Sequence, residues 1–151
     1  MSSAGTLLFA LITFIVGFSV PIQTGINAQL GKHLGHPVLA SLVSFCVGAA
    51  AMTLMMVVAQ LSWPSGGKLS EIPWWAWTGG LFGAIFVTMA IVMAPRLGAS
   101  NTLCLIVAGQ MLASLVFDHY GYLGFPEHPA NWVRILGVVL LLAGVLLIQR
   151  F

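Results

Sequence analysis

Charge is what this sequence has least of. Three of its 151 residues are acidic and five are basic, 5% in all. A soluble domain carries roughly a quarter of its residues as charges, so this chain cannot coat a water-facing surface. With 60% hydrophobic residues and a mean hydropathy of +1.05, it belongs in a bilayer. A net charge of +2 is too small to make nucleic acid a partner. Cysteine is equally scarce. Cys46 and Cys104 fall in apolar runs with no His or second Cys at ligand spacing, and read as packing thiols rather than redox groups. A basic opening segment of the kind that starts a cleavable signal is also missing, so no signal is expected.

What is present is hydrocarbon in long runs. A bilayer core of about 30 Å takes roughly 20 helical residues to cross. Five such runs, at about residues 5–31, 37–62, 73–94, 99–119 and 132–148, fill the sequence and leave no room for a soluble domain. They are too long for strands and lack the two-residue alternation of a membrane barrel. The expectation is an all-α membrane protein: one domain over residues 1–151, with five transmembrane helices and termini on opposite sides. Lys32 to His36 reads as a polar turn. Pro37 and Pro73 open spans, where a missing N–H has no helical partner to lose. "WPSGGKLSEI" and "PRLG" read as connections, and Asn131 as an N-cap.

An odd number of spans places Lys68 and Arg134 on the amino-terminal side and Lys32, Arg96 and Arg150 on the other. The free amino terminus adds a charge to the smaller group. Orientation follows the excess of Lys and Arg near span ends, and here there is almost none. Two readings follow: a weak preference for one orientation, or insertion both ways. All five tryptophans and both tyrosines lie toward the amino-terminal side. Aromatic belts normally mark both interfaces, so an inverted second copy would supply the other belt. An antiparallel dimer fits this pattern.

The stretch "VPIQTGINAQL" interrupts the first span with polar residues. Ser19, Gln23 and Asn27 are spaced i, i+4, i+8 and share one helix face. Pro21 removes a backbone donor and frees a carbonyl about one turn earlier, near Gly17. A membrane helix tolerates that only against protein or a wet cavity. The segment is either a structural seam bonding another helix or the wall of a substrate cavity with Pro21 as hinge. Gln110, Ser114 and Asp118 form a matching stripe on the fourth span. Asp118 is the only acid that could lie within a span. It is either a possible ion-coupling group, its charged form disfavoured by burial, or a residue reaching the interface. Gly79 and Gly83 have small-xxx-small spacing, and Gly137 and Gly144 share a face; all four read as helix packing. Ser41, Ser44 and Gly48 either join the polar interior or pack. The four histidines are scattered without a carboxylate cluster, so no metal, cofactor or enzymatic site is expected.

The segments "PIQTGINAQLGKHLGHPVLASLVSFCVG", "PWWAWTGGLFGAIFVTMAIVMAPRLGAS", "AGQMLASLVFDHYG" and "RILGVVLLLAGVLL" together resemble the YdcZ-type inner-membrane exporters. These are bacterial five-helix members of the drug/metabolite transporter superfamily. The resemblance covers nearly the whole chain. It rests on P-x-Q-x-x-x-N at Pro21, Gln23 and Asn27, on P-R-x-G around Arg96, and on G-Q-x-x-x-S-x-x-x-D at Gln110, Ser114 and Asp118. It implies a multi-pass inner-membrane exporter, and the polar stripes point to a small polar solute as its cargo. It also implies a half-size unit working in the lipid bilayer with an inverted partner, as an antiparallel homodimer or with a paralogous five-helix chain. It supplies no substrate. Small multidrug-resistance relatives depend on a glutamate in the first helix; none is present here, which argues against proton-coupled export of cations. The competing readings are a non-transporting membrane subunit or scaffold, and a lipid translocator.

Dual insertion has a direct test. Carboxy-terminal reporters active only in cytoplasm and only in periplasm should both be active, and two or three lysines added to one side should silence one. A single fixed orientation of the unaltered chain would rule dual insertion out.

Overall fold

In a computed structural model the protein is all-helical, with residues 3–64 and 66–151 described, apart from the side chains at 3, 4 and 68. The amino-terminal charge and the Lys68 side chain, both counted above for orientation, therefore lie outside the described residues. Five helical segments are long and apolar enough to cross a membrane: Gly5–Leu34, Pro37–Val58, Trp74–Leu97, Ala99–Tyr120 and Trp132–Arg150. No strand occurs among the described residues. The chain divides into two compact units, residues 1–95 and 96–151.

The first unit begins with a span whose helical hydrogen-bond ladder is interrupted once, at Phe18, which itself keeps helical dihedrals of φ −64° and ψ −21°. Helix α1 (Ser3–Gly17) and helix α2 (Ser19–Leu34) are separated by Phe18. The break sits where Pro21 dictates: its ring displaces the carbonyl four residues earlier, at Gly17, and it has no N–H to offer it. Two local bonds flank the interruption, neither of them to the Gly17 carbonyl. Phe18 N donates to Ile15 O at 3.1 Å, and Ser19 Oγ donates to Val16 O at 2.7 Å. The rings of Phe14 and Phe18 meet edge to face across the break, 5.3 Å apart. Helix α2 continues past the expected polar turn to Leu34. Gly35, in the left-handed conformation at φ 77°, ends it. His36 Nδ1 then accepts from Val38 N and caps helix α3 (Pro37–Val58).

Helix α3 stops four residues short of the expected position 62. Gln60 takes a left-handed φ of 53°, and Leu61 N reaches back to Met56 O at 3.0 Å, which satisfies a terminal carbonyl. The connection contains a short helix α4 (Gly66–Ser70) where sequence alone gives a loop. After Pro73, a 3-10 turn at Trp74–Thr78 leads into helix α5 (Gly79–Leu97). Pro95 and Arg96 lie in the last turn of α5 rather than in a connection. A proline so near a helix end deprives only one carbonyl of its donor. Gly98 alone breaks the helix, at φ 83° and ψ 154°, a conformation open essentially to glycine.

In the interior of this unit α2 and α3 approach closely, and α5 reaches them through side chains. Ala40, Ala90 and Ile91 are buried together with the polar Thr24, Asn27 and Ser41. Gly31 is the residue that permits the approach. A Cβ there would lie 3.3 Å from Ile91 Cγ2 and 3.6 Å from Ala40 Cβ. The glycines chosen from spacing behave differently. A Cβ at Gly83 would make ordinary contact with the Phe45 ring at 3.5 Å, whereas Gly79, Gly137 and Gly144 would meet nothing within 4 Å. Spacing marks a face of a helix but not whether a neighbour comes near it.

The second unit is a helix pair, α6 (Ala99–Tyr120) and α7 (Trp132–Arg150), joined by residues 121–131 with a 3-10 turn at Tyr122–Gly124. Asn131 Oδ1 accepts from Arg134 N at 2.9 Å and caps α7, as its position in the sequence leads one to expect. Ala108 and Val145 are its buried apolar residues, and buried Thr102 donates to Gly98 O at 2.9 Å.

The two kinds of glycine make a paired prediction. Gly31→Val should lower stability by about 1–3 kcal/mol through overpacking, while Gly79→Ala should stay within about 0.5 kcal/mol. Thermal melting in detergent checks both; equal shifts would show that Gly31 is not a close contact.

Candidate functional site

Helical periodicity brings Ser19, Gln23 and Asn27 to one wall. They line an open groove of about 400 Å³ with Ile22 and Ile26 of α2 and Val43, Ser44 and Val47 of α3. The wall is apolar except for these polar side chains. Asn27 is buried, at 5% exposure, and its Nδ2 donates to Ser44 Oγ at 3.2 Å. A buried amide in a membrane needs such a partner. Gln23, one turn away, is exposed and bonds to no other described residue. Gln23 and Ser44 also border a second groove of about 360 Å³, completed by Phe45, Gly48, Met52 and Val87. The seam of α2 and α3 therefore holds two amides and a hydroxyl between two open grooves. Beside it, Thr88 Oγ1 donates to Ser41 Oγ at 2.8 Å, and Ser41 Oγ donates to Pro37 O at 3.2 Å, tying α5 to α3.

The arrangement has defined hydrogen-bonding capacity. A neutral amide offers two donors and one carbonyl acceptor. Asn27 spends a donor on Ser44, so its Oδ1 and all of Gln23 are left for a guest. Ser19 has already turned its proton to Val16 O and can only accept. No formal charge borders either groove.

The α6 stripe divides differently. Ser114 and Asp118 line a groove of about 260 Å³ with Met111, Leu115, Gly137, Val138, Leu141 and Arg134. Gln110, on the same stripe, is exposed and does not border it. Asp118 forms an ion pair with Arg134, through Oδ2 and Nη2. Around this pair the connection is clasped. His128 N donates to Asp118 O at 2.7 Å, Arg134 Nη1 donates to His128 O, and Ala130 N donates to His119 Nδ1 at 3.0 Å. Sequence reasoning missed Arg134 as a partner because it figured only as a topological charge. Its signal was an opposite charge two residues inside the facing end of the next span. Ser44 was visible only as a small polar residue of uncertain role, and it is the partner of Asn27.

With the three grooves placed, comparison with known proteins gives the family. The pattern described as "Putative inner membrane exporter, YdcZ" matches residues 8–147, which includes every residue lining the grooves. The chain belongs to this family. The inner membrane protein YdcZ of Escherichia coli (strain K12) is 26% identical to it over 150 residues, covering 99% of this chain and 98% of that protein. No solved structure matches. As a YdcZ-family member the chain is a multi-pass inner-membrane protein, and its family is described as an exporter rather than an enzyme.

The clasp predicts charge complementation. Asp118→Arg or Arg134→Asp alone should destabilise the protein by about 1–3 kcal/mol, since each leaves a partly buried charge facing its like. The double exchange should recover a good part of the loss in detergent melting. Additive losses in the double variant would mean that the two side chains do not interact.

Proposed function

We propose that this YdcZ-family chain exports a small polar solute that is neutral or zwitterionic, bound at the α2–α3 seam. The carrying observation is the group Gln23, Asn27 and Ser44 beside a broken helix, in a wall that is otherwise apolar. Amides give donors and acceptors without the desolvation cost of an ion, so they suit such a solute better than a lipophilic cation. The break at Phe18 and Pro21 supplies the hinge that alternating access needs. Ser19 Oγ bonds Val16 O beside it, which leaves the Gly17 carbonyl that Pro21 frees as a further acceptor.

In this reading the working unit is an antiparallel pair, either two copies inserted in opposite senses or this chain with a paralogous partner. The even charge balance and the one-sided aromatic residues support it. Gln23 and Asn27 of both members would meet near the two-fold axis. Asp118 belongs to the loop clasp and not to ion coupling. The scaffold reading draws on one specific observation, the Asn27–Ser44 bond within a single chain, which is what an assembly seam would also contain.

Inside-out vesicles supplied with a panel of labelled neutral and zwitterionic polar solutes separate the two. Gln23→Leu with Asn27→Leu should lower uptake of the responsive solute by about tenfold or more, the effect of losing one or more polar contacts, with assembly by crosslinking unchanged. Asp118→Asn should leave the pH dependence of uptake as in the wild type. Full transport by the double variant would overturn the proposed site; loss of assembly would favour the scaffold.

A further inference from the structure

We infer that the groove between α6 and α7 binds one phospholipid with a primary-amine, zwitterionic headgroup of the phosphoethanolamine type. The inference is independent of transport at the α2–α3 seam. The groove is amphipathic along its length. Asp118 and Arg134 stand at its outer end, two residues from the ends of their helices. Tyr120, Tyr122 and Trp132 are exposed there, as interfacial residues are. From Asp118 to Met111 the groove descends about 10 Å into the span, lined by Leu115, Val138 and Leu141. A water-soluble ligand would leave that lining unused, and a bare hydrocarbon would leave the charges unmatched. An amphiphile uses both.

The charge pair keeps capacity for a guest. Arg134 has five N–H donors, and two serve Asp118 and His128. Asp118 Oδ1 has no partner among the described residues. The side chains are 34% and 26% exposed, so a headgroup reaches them. A guanidinium suits phosphate oxygens, and a carboxylate suits an ammonium that carries N–H donors. A quaternary amine has none to give, and an anionic headgroup without an amine would meet the Asp118 charge uncompensated. Ser114, one turn deeper, lies at the level of the glycerol esters. Gly137 keeps the groove open, since nothing lies within 4 Å of where its Cβ would stand.

The test is native mass spectrometry of the detergent-purified protein, titrated with phosphatidylethanolamine, phosphatidylcholine and phosphatidylglycerol of identical acyl chains. Phosphatidylethanolamine should bind about tenfold more tightly than either of the others, as expected for charged hydrogen bonds gained. Gly137→Leu, which fills the groove and leaves both charged residues in the sequence, should abolish that preference, and Arg134→Gln should do the same. Leu140→Ala should leave the preference intact. Equal binding of all three lipids would overturn the inference. So would wild-type preference in folded Gly137→Leu, or a change of oligomeric mass in that variant with lipid binding unaltered, since the groove would then seat a second copy of the chain. Should Arg134→Gln fail to fold, the Gly137→Leu result decides.

Discussion

Lipid offers a polar group nothing to bond to, and the rest of this structure follows from that. Among the described residues, the buried set contains Thr24, Asn27, Ser41 and Thr102 beside only five apolar residues. The interior is more polar than the surface, the reverse of a soluble domain. Hydroxyls obey the same constraint by bonding to their own helix, as Thr24 does to Val20 O and Thr53 to Ala49 O. Asn27–Ser44 and Thr88–Ser41 join the side chains of different helices in the first unit. These bonds hold α2, α3 and α5 where there is little hydrophobic force between helices to do so.

The same constraint sorts the two polar regions by depth. Uncharged amides sit within the first span, where an ion would be costly. The Asp118–Arg134 pair occupies the end of α6 and the start of α7, where water and headgroups share the load. One region is therefore polar without charge and the other is an ion pair.

The five spans were legible because hydropathy and length suffice to find them, and the Ser19–Gln23–Asn27 wall was legible because i, i+4, i+8 spacing fixes a helix face. What sequence could not give was register between helices. Ser44 lies 17 positions from Asn27, and nothing in either helix says that they meet. Arg134 lay hidden in the same way from Asp118. The glycines show the limit most clearly. Spacing singled out Gly79, Gly137 and Gly144, whereas the close approach is at Gly31, passed over because Lys32 beside it looked like the start of a turn. Termini shifted by a few residues for local reasons: a left-handed Gln60 ended α3 early, and Pro95 was absorbed into a last turn.

The broken first span also sets a mechanical condition. Its 30 residues would make a straight helix about 45 Å long, against a hydrocarbon core of about 30 Å. Its last turn carries Lys32 and His33, which stand at headgroup depth, so not all of that length lies in the core and the apolar part alone sets the mismatch. Where Pro21 withholds its donor the helix bends most easily. A change in bilayer thickness would therefore be taken up there, beside Gln23. Spin labels on α1 and α2, read in bilayers of graded acyl length, would register this as a changing separation; a constant separation would show a rigid joint.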